Sequence, residues 1–406
     1  MQMSVRDWFE QRSFHHQDFS GLAGSGAVRR HPAVTLILPA REVAGTIGSI
    51  LDTVARLKER SGLIDQVLVV DADSADGTAA LARAHGAEVY SENELLPEYG
   101  PAQGKGDAMW RALSVARGDI VMFADADTRD FGEHFVYGTL GPLLMVPGVQ
   151  FSKAAYRRPY TSAEQSVADG GGRVTELMAK PLLNFFFPGL TGFVQPLAGE
   201  FAASRDLLRR TPFLTGYGVE IAILIDVLAD AGLPAMAQVD LGSRQNRHQP
   251  LWDLTRMSSA VLRALARRVP ALDHAVPAPD HAPPGPRAPG LWDLPAPDTY
   301  LHAVATRDGL RLDEHLTDLL ERPPVAQILT AEIPAKMLRL RLRSPGEDLE
   351  DLRTVAAQLG LAHTANPRKL GQRRWQGNRD LPQGRVVEDH VRGQALLLRD
   401  RGPPGA

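Results

Sequence analysis

Four apolar residues, Ile120, Val121, Met122 and Phe123, run without alternation into two carboxylates, Asp125 and Asp127, one small residue apart. A short apolar run of this kind is a strand buried on both faces, the habit of parallel sheets. Carboxylates at its C-terminal end fall where open α/β sheets bind ligands. At i and i+2 they point the same way while strand geometry lasts, so they can share a divalent cation. A strand-end turn with solvated acids is the competing reading.

The preceding chain extends the pattern. Val34–Ala40 reads as a buried strand stopped by Pro39, and Thr46–Lys58 as a helix with Ile47, Ile50, Leu51, Val54 and Leu57 at helical spacing. Gln66–Ala72 is a second strand, Ser74–Thr78 a turn into a helix reaching Arg83, and Ala87–Tyr90 a third strand. Gly104-Lys-Gly opens a further helix. Such alternation predicts an α/β fold, a doubly wound and mainly parallel sheet with flanking helices.

After residue 127 the rhythm changes. Val149–Tyr156 reads as a strand, Gly170–Leu177 as the start of a helix towards Phe187, and Gln195–Phe201 as a loop or short strand. Tyr217–Asp226 is expected to be a buried helix, Ala237–Gly242 a last strand, and Arg244–His248 a polar loop. Residues 1–33 form an N-terminal arm, with Trp8, Phe9, Phe14 and Phe19 ready to pack on the body or a second subunit. The main domain is expected over 34–269, a Pro/Ala-rich linker over 270–295, and a small α+β appendage over 296–406. Within the appendage, 300–320 reads as helical, 337–342 as a strand and 348–361 as an amphipathic helix.

Composition narrows the class. The chain has 406 residues, 44% hydrophobic and 23% charged, as globular proteins do. A net charge of -3 gives no global basic field for nucleic acid. With no cysteines, disulfides and thiolate metal sites are excluded. No apolar run is long enough to span a membrane, and a cytoplasmic enzyme is expected.

Several stretches carry candidate chemistry. Gly104-Lys-Gly sets Lys105 at a helix start, between glycines that let the backbone approach a phosphate. The spacing is not that of a Walker loop. Gly170-Gly-Gly-Arg-Val-Thr offers Gly172 and Val174 backbone, the Arg173 fork and the Thr175 hydroxyl to an anionic acceptor. The acids of Asp71–Asp76 suit ribose hydroxyls or the cap of the next helix. Glu220 lies in an apolar run and needs a partner, either a substrate hydroxyl or a basic side chain.

The order of these pieces resembles the retaining glycosyltransferases that make glucosyl-3-phosphoglycerate, with their mannosyl-3-phosphoglycerate relatives. The matching stretches are Leu38-Pro-Ala-Arg-Glu42, Asp71–Thr78, Gly104-Lys-Gly, Ala124-Asp-Ala-Asp127, Tyr156-Arg-Arg-Pro159, Gly171–Leu177, Gln195–Glu200 and Gly216–Ile221, spread over about 34–260. The resemblance implies a GT-A fold, a divalent cofactor (Mg2+, Mn2+ or Co2+), a sugar-nucleotide donor (UDP-glucose, GDP-glucose or GDP-mannose), a 3-phosphoglycerate acceptor and a homodimer, with no nucleic acid or membrane partner. It implies synthesis of a compatible solute or polysaccharide precursor.

By the same analogy Pro39, Ala40 and Glu42 hold the base, Ser74 lies by the nucleotide, and Lys105 touches the phosphates. Asp125 faces ribose or sugar, and Asp127 binds the metal. Gly172, Arg173, Val174 and Thr175 hold the acceptor phosphate, and Glu220 approaches the transferred sugar. The catalytic set is then Asp125, Asp127 and Glu220. The flanking Leu-Gly and Pro-Leu align the family's metal-binding histidine with Asn246; His248, two residues on, is taken as the metal ligand and Asn246 as an acceptor contact. Arg41 departs from the family's base loop, so glucose and mannose donors both stay open. Sugar-nucleotide formation by nucleotidyl transfer is the alternative class.

Overall fold

The computed structural model describes residues 3–24, 31–161, 166–167, 171–244, 251–269, 299–306, 309–316, 320–329, 361–363, 384–389 and 394–400. In chain order the first elements are α1 (Val5–Arg12), β1 (Ser13–His15), β2 (Val34–Ala40), α2 (Ala44–Ser61), β3 (Gln66–Asp71), α3 (Thr78–Ala84), β4 (Glu88–Ser91), α4 (Lys105–Ala112), β5 (Ile120–Phe123), α5 (Glu133–Met145) and β6 (Phe151–Arg157). After a two-residue hairpin pair, β7 (Tyr160–Thr161) and β8 (Ser166–Val167), come α6 (Lys180–Phe186), β9 (Phe201–Ser204), α7 (Arg205–Arg210), β10 (Phe213–Leu214), α8 (Val219–Ala231), β11 (Met236–Ser243) and α9 (Leu251–Ala266).

Eight strands form one sheet in the order β1-β11-β6-β9-β5-β2-β3-β4. Five pairings are parallel; β9 runs antiparallel to both β5 and β6. The reversal at β9 is the physical form of the rhythm change after residue 127. Leu36, Leu38, Val69, Val121, Met122 and Phe123 are fully buried, as unbroken apolar strands between helical layers must be. Helix α2 covers one face through Ile47, Ile50, Leu51, Val54 and Leu57, and ends on Gly62 in the left-handed conformation.

The N-terminal arm packs on the body. Strand β1 pairs with β11 as a sheet edge. Trp8 is fully buried, donates its indole N–H to the Met236 carbonyl at 2.8 Å, and packs on Phe193.

The C-terminal region departs from expectation. In place of a helix over 300–320, β12 (Thr299–Thr306) and β13 (Gly309–Leu316) form an antiparallel pair. Leu310 and Leu312 alternate with Arg311 and Asp313, the period of a strand and not of a helix. Strand β14 (Glu321–Arg322) pairs with β10, followed by α10 (Val325–Leu329). One compact unit comprises 1–95 and 102–327, so its chain runs past the expected boundary at 269. The other comprises 96–101 and 328–406, where β15 (Leu361–His363), β16 (Gly384–Asp389) and β17 (Gln394–Asp400) form a sheet with β17 in the middle. The expected linker 270–295, the strand 337–342 and the helix 348–361, apart from Leu361, lie outside the described residues.

Candidate functional site

A cavity of about 410 Å³ opens along the C-terminal ends of the sheet strands, within the ordinary range of ligand pockets. Pro39 and Ala40 come from the end of β2, Val70 and Ala72 from β3, Asp125 and Asp127 from β5, and Arg158 from β6. Gly104 and Lys105 stand at the start of α4, Glu220 in the first turn of α8, and Arg244 just past β11. Gly172, Arg173, Val174 and Thr175 complete the wall, entering a π-helical stretch over Thr175–Ala179.

The floor is a ring of charges. Lys105 Nζ contacts Asp125 Oδ1 and lies 2.8 Å from Glu220 Oε1. Arg244 Nη2 lies 2.8 Å from Asp125 Oδ2 and 3.4 Å from Asp127 Oδ1. Its Nη1 donates to Glu200 Oε2 at 2.9 Å and to the Tyr156 hydroxyl at 2.8 Å; that hydroxyl donates in turn to Glu200 at 3.0 Å. Burial opposes the charge on Asp125, yet Lys105 and Arg244 hold its carboxyl well below the usual range. Burial likewise opposes the Lys105 charge, and Asp125 with Glu220 drives its pKa up regardless. Asp127 is pushed up, by burial and then by Asp125. Glu200 is pushed up chiefly by burial, with Arg244 opposing. Beneath them Lys153, fully buried, donates to the Ala198 carbonyl at 2.8 Å, and burial brings it down to about 8.

Eight of the expected site residues are drawn together with the D-x-D pair: Pro39, Ala40, Lys105, Gly172, Arg173, Val174, Thr175 and Glu220 all line the cavity. Glu220 pairs with a lysine. Glu42 and Ser74 are not among the lining residues. Glu42 N–H donates to Ser74 Oγ at 2.9 Å and Ala75 N–H to Glu42 Oε1 at 2.8 Å, so the two brace the loop behind Arg41. Asp76 accepts from Thr78 and Ala44 backbone N–H, the capping alternative. Asn246 and His248 lie outside the described residues.

The two glycines of Gly104-Lys-Gly differ in their surroundings: Gly104 lines the cavity, and Gly106 packs on protein. Gly104 takes a left-handed φ of 76° at the helix start. A Cβ on Gly106 would fall 1.9 Å from the Leu214 carbonyl oxygen, so that glycine serves packing of α4 on the β10 strand. Sequence reasoning gave no role to Tyr156, Arg158 or Glu200, although all stood in the quoted stretches, and it read Arg244 as loop. A signal was present for Glu200, an acid directly before the apolar Phe201–Ala203.

The donors fit a hard divalent ion. Four carboxylates in the ring face Lys105 and Arg244, with Lys153 beneath them, so acids still outnumber cations. Among the described residues no three His, Asp or Glu side chains gather to hold a metal. Asp127, with 56% of its side chain exposed, offers oxygen to an ion that takes its other ligands from phosphate and water, as Mg2+ does.

The model of glycosyl transferase family 2 matches residues 35–135. Glucosyl-3-phosphoglycerate synthase of Petrotoga mobilis is 38% identical over 268 residues, covering 65% of this chain and 82% of its own. The crystal structure of mannosyl-3-phosphoglycerate synthase from Rubrobacter xylanophilus has 54% identity and a TM-score of 0.68, over 80% of this chain and 99% of that one. Glucosyl-3-phosphoglycerate synthase from Mycobacterium tuberculosis, in complex with Mn2+, UDP and glucosyl-3-phosphoglycerate, has 34% identity and a TM-score of 0.61, over 80% and 96%.

Proposed function

Because the chain belongs to the family of glucosyl-3-phosphoglycerate and mannosyl-3-phosphoglycerate synthases, we propose that it transfers glucose from UDP-glucose to 3-phosphoglycerate. The M. tuberculosis relative was crystallised with Mn2+, UDP-glucose and phosphoglyceric acid, and with Mg2+ and UDP. The observation that carries the reading is that the D-x-D acids, Lys105 and the Gly172–Thr175 anion loop share one cavity. A second donor reading, GDP-mannose, is favoured by the 54% identity to a mannosyl-3-phosphoglycerate synthase.

In this reading the donor diphosphate lies over the N-terminus of α4, where the helix dipole and Lys105 favour negative charge. Asp127, with His248, would hold Mg2+ or Mn2+, which supplies positive charge against the departing diphosphate. Pro39 and Ala40 back the base, with Glu42 and Ser74 fixing their loop. Arg173, Thr175 and the Gly172 and Val174 backbone take the acceptor phosphate, and Asn246 its carboxylate. Glu220 accepts a sugar hydroxyl. Holding the acceptor hydroxyl at the anomeric carbon can remove roughly 7–11 kcal/mol of barrier. The hydroxyl oxygen bonds to that carbon as the bond to the diphosphate breaks, and its proton passes to a diphosphate oxygen. Attack on the leaving-group face retains configuration.

With 3-phosphoglycerate and Mg2+, the expected product is nucleoside diphosphate, and Asp127→Ala should cut turnover on the order of a hundredfold or more. Pyrophosphate release from a nucleoside triphosphate would move the protein to nucleotidyl transfer. Both substrates are charged metabolites that do not cross bilayers unaided, which supports a cytoplasmic reaction; no described helix is long and apolar enough to span a membrane. A homodimer is supported by exposed Leu177 and Phe185, each nearly four-fifths accessible. Phe185→Glu should then lower the mass seen by light scattering; a wild-type monomer would exclude this assembly.

A further inference from the structure

Arg244 is engaged through both terminal nitrogens of its guanidinium, while its buried Nε has no hydrogen-bond partner among the described residues. One end is anchored: Nη1 donates to Glu200 and to Tyr156, and the Tyr156 hydroxyl spends its proton on Glu200. The other end is presented: Nη2 faces Asp125 at 2.8 Å and Asp127 at 3.4 Å. The side chain is buried to 1% exposure. A guanidinium is planar, permanently charged and rigid in its fork, so anchoring one edge aims the other.

Asp125 is correspondingly engaged at both oxygens. Lys105 takes Oδ1, Arg244 takes Oδ2, and Gly199 passes so close that a Cβ there would lie 2.3 Å from Oδ1. Among the described residues the Asp127 side chain carries only the longer contact, and it stays half-exposed. A dication binding Asp127 therefore arrives beside a fixed guanidinium in a partly buried site, where like charges repel more strongly than in water.

We propose that Arg244 is a resident cation of the transfer site, a positioning residue that already balances the D-x-D pair and holds metal affinity low until the donor diphosphate brings its own oxygens. The proposal rests on the transferase reading for the identity of that donor. Its consequence is that metal loading follows nucleotide binding instead of preceding it.

The test is Mn2+ titration of the full-length protein, read by electron paramagnetic resonance, with no nucleotide, sugar or acceptor present. Arg244→Gln should bind Mn2+ about tenfold more tightly than wild type, the scale of ordinary coupling between two ligands. Arg244→Lys, which keeps the charge, should stay near wild type. Since Arg244→Gln leaves Glu200 buried without its cation, Arg244→Gln with Glu200→Gln is titrated alongside, and circular dichroism establishes which variants fold. Affinity no higher than wild type in the folded variants would overturn the proposal. The titration uses no sugar substrate, so a protein that fails to transfer but gains metal affinity in these variants would discredit the transferase reading and leave Arg244's role standing.

Discussion

Glu92 follows β4 and lines the cavity near Arg41. Burial raises its carboxyl from 4.5 to about 7, with Arg41 opposing and Asp107 and Asp73 adding to the rise. A raised acid in the folded state means folding takes up a proton. The cost of its charge is absent below about pH 4.5, grows as pH rises to 7, and is complete above that. Glu92→Gln should thus stabilise the protein at pH 8 on the order of 2 kcal/mol and change little at pH 4.5. Urea unfolding at both values checks this; equal effects would contradict it. Asp125, Asp127 and Lys105 were legible in the sequence because apolar strand and glycine-flanked helix start mark their places. Arg244 was not. Its partners Tyr156 and Glu200 stand 88 and 44 residues away, and nothing local in a polar run announces burial.

At the scale of elements, strands buried on both faces and helix α2 could be read from apolar runs alone. What the local pattern lacks is pairing. Strand β9 is short, and only its antiparallel register with β5 and β6 puts Glu200 under the D-x-D pair. The second glycine of Gly104-Lys-Gly reads the same whether it meets phosphate or protein; the Leu214 carbonyl decides for protein. Gly106→Ala must push α4 off β10, so it should cost about 1–3 kcal/mol in stability and lower turnover through misplaced Lys105. Denaturant unfolding and steady-state rates measure both. An alanine variant of wild-type stability would contradict this packing role.

The whole molecule divides differently from its composition. Arg322, far along the chain, lies 2.7 Å from Asp107 on α4, and both are buried. Trp110 of the same helix donates to the Pro323 carbonyl at 2.7 Å. The fold around the site therefore includes residues 320–327, although the proline-rich stretch at 270–295 invites a cut before them. A chain ending at Gln327 should retain its turnover. One ending at residue 285 takes Arg322 from buried Asp107, which keeps Arg111 and the Gln103 N–H, and should unfold at lower denaturant. Equal stability of the two would sever 320–327 from the site. The central claim, retaining hexosyl transfer to 3-phosphoglycerate, is tested most directly by proton NMR of UDP-glucose, 3-phosphoglycerate, Mg2+ and the full-length protein. The donor's anomeric signal should give way to an α-glycoside of phosphoglycerate, at a rate that falls in Asp127→Ala. A β-glycoside, or free glucose with no acceptor adduct, would contradict it.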